Sequence, residues 1–294
     1  MIIKKSKFKL SPGTLYGFAG GAFGLLTVGL MINAKMAPET FASCTERYGQ
    51  AGIFALERST GALLEPAELQ SRLGGQEWGV LQNIAVEPDK SAAGKVAMSV
   101  RFNEGTFADF AQRNVPSGVG FKWQPSYLKK ASAACLSYSV YIPRNFKFAN
   151  GGTLPGLYGT SSVGDSDKKK QFSARMRWLE AGKIGVQAVT PKMEKGYLIV
   201  LSEQWLKLPR DQWVEIEQEV VLNSPGRADG HLRIWIDGRL QLNKGEIAFR
   251  RNASDQFGGV NAETHYANTR MDWTPAPKAS EITLSPMVVW PPII

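Results

Sequence analysis

The 294-residue chain has only two cysteines and two histidines. Two cysteines, Cys44 and Cys135, are too few for a disulfide scaffold, and no Cys/His spacing suits a zinc cluster, so no metal is expected. No Gly-rich phosphate loop stands between a strand and a helix, and no Gly-x-Ser-x-Gly elbow is present. Nucleotide cofactors and serine-hydrolase chemistry are thereby disfavoured, and no cofactor is expected. No helical periodicity separates the apolar runs beyond residue 78, which argues against parallel βαβ units. Internal repeats and heptads are also missing. The basic residues carry no nucleic-acid-binding signature.

What is present is a net charge of +9 and a pI near 9.5, which attract polyanions of some kind. The 30 glycines and 16 prolines suggest many turns. Residues 15–34, LYGFAGGAFGLLTVGLMINA, are uncharged and reach the ~20 residues needed to cross a bilayer. Lys4, Lys5, Lys7 and Lys9 precede them, so the positive-inside rule predicts a basic cytoplasmic tail over 1–14 and an uncleaved signal anchor over 15–34. On this reading the rest is periplasmic, a single-pass protein of the inner membrane. Residues 35–75 read as a tether with a short helix near Pro66, and 76–294 as the folded domain. Outside the cytoplasm Cys44 and Cys135 are able to bridge; a free, buried Cys135 is the alternative.

From Trp78 onward the period is two. Val96, Met98, Val100 and Phe102 alternate with smaller or polar residues, as do Leu136, Tyr138, Val140 and Ile142. Phe172, Ala174, Met176 and Trp178 point one way, and Ser173, Arg175 and Arg177 the other. Val214, Ile216, Val220 and Leu222, then Leu232, Ile234 and Ile236, supply further inward faces, and Asp237-Gly238 reads as a hairpin turn. The fold class is all-β: an antiparallel sandwich or jelly roll, concanavalin A-like in kind, preceded by one transmembrane helix.

Three stretches carry a family resemblance. LSYSVYIPRNFKFANGGTLPGLYG (136–159), FSARMRW (172–178) and WVEIEQEVVLNSPGRADGHLRIWIDGRL (213–240) are similar to the signatures of the alginate and glucuronan lyases of polysaccharide lyase family 14, with weaker echoes at 117–123 and 257–260. The resemblance implies a jelly roll whose concave face holds a uronic-acid chain cut by β-elimination. That chemistry requires a cation or donor for the uronate carboxylate, a base for the proton beside it and an acid for the leaving oxygen. Carried over by position, the family's Ser-x-Arg pair falls on Ser173 and Arg175. Its loop lysine is replaced by Thr153, and its downstream Tyr-x-Tyr pair by Gln187 and Val189, neither of which transfers protons at neutral pH.

The residues therefore point to a glycan-binding set of Ser173, Arg175, Arg177, Thr153, Gln187 and Tyr141. His265 and Tyr266 are candidates for acid/base work, since His titrates near neutrality and Tyr can protonate a leaving oxygen; a loop histidine bonded locally is the bland alternative. Glu215, Glu217 and Glu219 read as a solvated strand face, and Trp235 as exposed or packed on the other sheet. The function expected from all this is a membrane-anchored, catalytically altered domain that binds an acidic polysaccharide beside a synthase or exporter. Its rivals are an active lyase cutting a uronate glycan and a structural subunit of a synthase complex.

Overall fold

The computed structural model describes residues 41–49, 51–73, 77–107, 117–160, 171–191, 196–201 and 206–292. Three short helices, α1 (Cys44–Arg47), α2 (Pro66–Ser71) and α3 (Val80–Asn83), accompany the strands. In chain order these are β1 (Gly52–Ile53), β2 (Ile84–Pro88), β3 (Val96–Phe102), β4 (Lys122–Trp123), β5 (Ala133–Tyr141), β6 (Gly152–Thr160), β7 (Ser173–Trp178), β8 (Ile184–Val189), β9 (Tyr197–Val200), β10 (Trp213–Val221), β11 (Gly230–Ile236), β12 (Arg239–Ile247), β13 (Gln256–Asn261), β14 (Ser280–Leu284) and β15 (Val288–Trp290).

Two antiparallel sheets face each other. One runs β12-β11-β10-β5-β14-β3-β2, with β15 joining β5 to β1; the other is six-stranded, β4-β13-β6-β7-β8-β9. Alternation drives the pairing: Leu136, Tyr138 and Val140 of β5 and Ala174, Met176 and Trp178 of β7 are buried between the sheets, as a two-residue period requires. The β11–β12 turn places Asp237 and Gly238 both at positive φ, the backbone that a two-residue hairpin with right-handed strand twist demands.

Three expectations change. Among the described residues no helix is long and apolar enough to cross a membrane; the three helices span 4, 6 and 4 residues. The span expected over 15–34 lies outside the described residues. The single-pass inner-membrane topology and the periplasmic placement built on it therefore have no structural support, and neither is carried further. Second, the stretch read as a tether belongs to the fold. Phe54, Leu56, Leu64 and Leu69 are buried in the core, and β1 pairs with β15. Irregular spacing hid these residues, which fill the gap beside β15 rather than repeat along a strand.

Third, two of the three glutamates of β10 are not part of a solvated face; Glu215 is exposed as expected. Glu217 and Glu219 are buried beneath α1 and the residues beside it. A disulfide between Cys44 and Cys135 of β5, with Cα atoms 5.8 Å apart, fastens that segment to the sheet. Glu219 accepts hydrogen bonds from Arg47 (3.0 Å), Tyr48 (2.6 Å) and Arg233 (2.7 Å), so its buried charge is compensated. Burial raises the Glu217 carboxyl above the usual range, a shift only partly offset by the Thr45 amide. Trp235 is fully buried, with the Arg47 guanidinium 5.7 Å from its ring centre.

Candidate functional site

The outward face of the six-stranded sheet is set by β7. Its inward residues are core, which sends Ser173, Arg175 and Arg177 to the opposite side. Residues directly opposed in antiparallel strands share a face. The register therefore builds a row across the sheet: Lys122 on β4, Asn261 on β13, Gly156 on β6, Arg175 on β7, Gln187 on β8 and Leu198 on β9. A neighbouring row carries Tyr158, Ser173 and Val189.

The middle of the first row is shaped by a bulge. The register of β6 on β7 shifts between Thr153 and Gly156, where Leu-Pro intervenes and Pro155 lacks an amide hydrogen. The GGTLPGL segment, expected as a loop, is thus an irregular strand. The extra residue restores Leu157 to the core and leaves two backbone groups without ladder partners. Gln218, from β10 of the facing sheet and fully buried, supplies both: its Oε1 accepts the Leu157 amide at 2.8 Å and its Nε2 donates to the Ala174 carbonyl at 2.7 Å. Gly156 is required at this bend, since a Cβ there would lie 2.1 Å from the Ala174 oxygen.

Arg175 sits over this bend and donates through Nη1 to Glu263, both side chains being about four-fifths buried. Its Nε is buried with no hydrogen-bond partner among the described residues, and so is Oε1 of Gln187 opposite it. Glu263 also lies 3.8 Å from Nε2 of His265, an ion-pair distance too long for a hydrogen bond. Burial pushes the Glu263 carboxyl upward, but His265, Arg175 and Asn261 together outweigh it and hold it at about 2, so it is ionised at neutral pH.

His265 is 1 % exposed, shut beneath Trp273 and Trp78 with ring centres 4.7 and 5.7 Å away. Its Nδ1 lies 3.0 Å from the Tyr266 carbonyl, which can only accept. The neutral ring is therefore the tautomer with its lone pair on Nε2, an atom that is itself buried and unpartnered among the described residues.

The other expected residues divide. Ser173 is half-buried on the same face. Thr153 is fully buried, its hydroxyl accepting the His265 amide at 3.2 Å. Arg177 is fully buried and donates to the carbonyls of Gly152 (2.7 Å), Ala267 (2.8 Å) and Asn268 (2.8 Å), so it ties loops together and has no exposed edge for a glycan. Burial, and then Arg175, lowers its pKa to about 10, which leaves it charged at neutral pH.

Tyr266 points away from His265 into an aromatic cluster with Phe102, Phe146 and Trp178, at centroid distances of 5.2, 5.7 and 5.5 Å. Its hydroxyl donates to the Lys147 carbonyl at 2.7 Å, and burial raises its pKa. It is a core residue, out of reach for proton transfer on this face. Tyr141 stands on the other sheet, its ring tilted against that of Trp213 with centres 5.6 Å apart. Neither joins the cluster around Arg175, because neighbouring strand residues alternate faces and Tyr141 follows the parity of β5.

Sequence reasoning missed Glu263, Gln218, Tyr158 and the two tryptophans over His265. The Tyr158 hydroxyl accepts from Gln124 Nε2 at 2.6 Å, and Lys122 Nζ lies 5.1 Å from its ring centre. Burial raises its pKa, with the Gln124 bond opposing, so it stays a protonated phenol at neutral pH.

Among solved structures, a marine PL-14 alginate lyase from Aplysia kurodai superposes with a TM-score of 0.63 at 21% identity, covering 77% of this chain and 94% of that one. Alginate lyase vAL-1 from Chlorella virus gives 0.59 at 20%, covering 82% and 100%. An endo-β-1,4-glucuronan lyase from Trichoderma reesei gives 0.51 at 11%, covering 75% and 89%. At these identities the likeness speaks for the fold. No curated protein matches. The family model for polysaccharide lyase 14 matches residues 90–283, which include Arg175, Gln187, Glu263 and His265, and the chain belongs to that family.

Proposed function

We propose that the chain is a polysaccharide lyase that cleaves a uronate-containing glycan by β-elimination on the outward face of the six-stranded sheet. The observation that carries this reading is the gathering of unpartnered buried polar atoms, Arg175 Nε, Gln187 Oε1 and His265 Nε2, around one arginine. Buried polar groups are mostly bonded in folded proteins, and three orphans that share one face with a cation fit a site completed by its ligand. Related structures named as alginate and glucuronan lyases support an acidic glycan as that ligand. This alternative is preferred to the expected binding domain with altered catalytic positions on the strength of the grouped polar atoms and of the likeness to structures named as lyases.

In the proposed reaction Arg175, with the Gln187 amide turned to donate, neutralises the uronate carboxylate and acidifies the adjacent C5 proton. Nε2 of His265 takes that proton, and Glu263 stabilises the imidazolium that results. The C5–H electrons form the C4–C5 double bond as the C4–O bond breaks, and Tyr158 gives its phenolic proton to the departing oxygen. Access to Nε2 requires the Trp273 ring to swing off His265.

The test is the absorbance of unsaturated uronate ends when the full chain meets glucuronan and alginate. A rise that vanishes in His265→Gln and Tyr158→Phe supports the assignment. No rise with any uronate polymer sinks it.

A further inference from the structure

We infer that the end of the sandwich beside the β7–β8 connection carries a second glycan site, one that does no chemistry and holds a stretch of acidic polysaccharide while another stretch is cut. The ligand class rests on the lyase reading above; the residues are a separate set.

A cavity of about 740 Å³ opens there, walled by segments that leave β3, β5 and β7 and by those that lead into β10 and β14. Phe148 and Pro277 give it an apolar wall. Lys147, Arg210 and Lys278 bring three cations to it, and Glu104 and Glu180 two carboxylates. Among the described residues no ion pair joins any two of these charged side chains. Asp211, next to Arg210 in the chain, is already bonded to Arg144 at 2.7 Å. Charges of both signs that line one hollow without meeting remain available to a third group.

Arg210 is set in advance. Its Nη2 donates to the Phe146 carbonyl at 3.1 Å, and its guanidinium lies 4.9 Å from the Phe148 ring centre. Phe148 is wedged in turn against Gly182, where an added Cβ would stand 2.8 Å from the ring. A guanidinium fixed by one bond and one ring keeps its other N–H groups for a carboxylate.

The mixture of groups selects the ligand. A uronate unit gives its carboxylate to the cations, its hydroxyl protons to Glu104 and Glu180, and its C–H face to the apolar wall. Sulfate would meet the two carboxylates with nothing to donate. Glu180 follows the end of β7, so the cavity lies roughly 15 Å from Arg175 at about 3.3 Å per residue. A polymer held at both places keeps its reacting stretch at high local concentration, a gain that a short oligosaccharide does not receive.

The experiment uses the full chain with alginate and glucuronan, as polymers and as tetrasaccharides, reading cleavage by absorbance and affinity by calorimetry. Lys147→Glu with Lys278→Glu changes two exposed side chains; Lys90→Glu with Lys244→Glu, exposed elsewhere, makes the same change in net charge and is the control. The first pair should raise KM for polymer about tenfold with kcat unchanged, and leave both constants for the tetrasaccharide within about twofold of the control. Arg175→Ala should retain polymer binding that the added Lys147 and Lys278 changes abolish. A polymer KM no higher than in the control, or an equal rise for the tetrasaccharide, overturns the second site and leaves the lyase reading standing. If no absorbance arises from any substrate the lyase reading falls, and calorimetry still decides this site: polymer binding lost in the Lys147 and Lys278 variant supports it, and binding unchanged or absent overturns it.

Discussion

Gln218 on one sheet accepts the amide of Leu157 on the other at 2.8 Å, and so one buried side chain closes the gap that the Leu-Pro bulge opens beneath Arg175. Gln218→Leu keeps the apolar parity of β10 but orphans the Leu157 amide and the Ala174 carbonyl. The expected cost is about 2–6 kcal/mol from two unsatisfied buried groups. Denaturant unfolding measures it, and a variant as stable as wild type would refute this role.

Arg175 and Arg177 are expected to separate function from stability, although the sequence presents them as a pair. Arg175→Ala should fold and lose roughly 100-fold or more in kcat/KM on a uronate polymer. Arg177→Ala strips three carbonyls of their donor and should cost about 3 kcal/mol or more in unfolding free energy. Equal effects of both changes on melting would contradict this division.

Glu263 fixes a pH dependence. Its carboxyl is held at about 2 against an ordinary 4.5, so the folded state favours the ionised form. The stability this contributes is complete above pH 4.5 and drains away as pH falls toward 2. Melting curves across that window should fall more steeply for wild type than for Glu263→Gln.

Glu217 has the opposite sign. Burial raises its pKa, so its contribution is greatest when protonated and is lost as pH rises through the raised value. Glu217→Gln keeps an acceptor for the Thr45 amide and removes the charge. It should raise Tm at neutral pH by about 2–4 °C, the equivalent of about 1 kcal/mol in a domain of this size, and the gain should shrink in acid.

The disulfide closes a loop with a sequence separation of 91. Replacing Cys44 and Cys135 together by Ser should cost about 2–5 kcal/mol, read as a lowered denaturant midpoint. Reduction of the wild-type protein should reproduce the loss, because the segment bearing Arg47 and Tyr48 then loses its covalent tie to the sheet and keeps only its polar and ring contacts.

The sandwich was legible wherever inward and outward residues alternate without interruption, as in Val96–Phe102 and Phe172–Trp178. Arg175 was legible too, because a cation on the polar side of such a strand must meet a partner. Gln218 carried a signal that went unread: it shares the parity of Val214, Ile216 and Val220, and a polar residue on an apolar stripe implies a buried bond. His265 and Tyr266 stand side by side in sequence, yet adjacent residues in extended chain face opposite ways, one to the cluster and one to the core. The burial of Glu217 and Glu219 left no trace in strand periodicity, since the residues that cover them arrive from around Cys44, far away in the chain. Glu263 was equally silent, for its role depends on which strand stands beside β6.

Thr153 bears on how this site could change over generations. Its hydroxyl takes the His265 amide and its own amide gives to the His265 carbonyl at 2.9 Å, in a fully buried position. A lysine at 153 would remove the hydroxyl that takes the His265 amide while leaving the backbone bond in place, and would have to fit its longer side chain into a fully buried position. A change at 153 is therefore felt directly at His265, two chain-distant positions joined by one pair of hydrogen bonds.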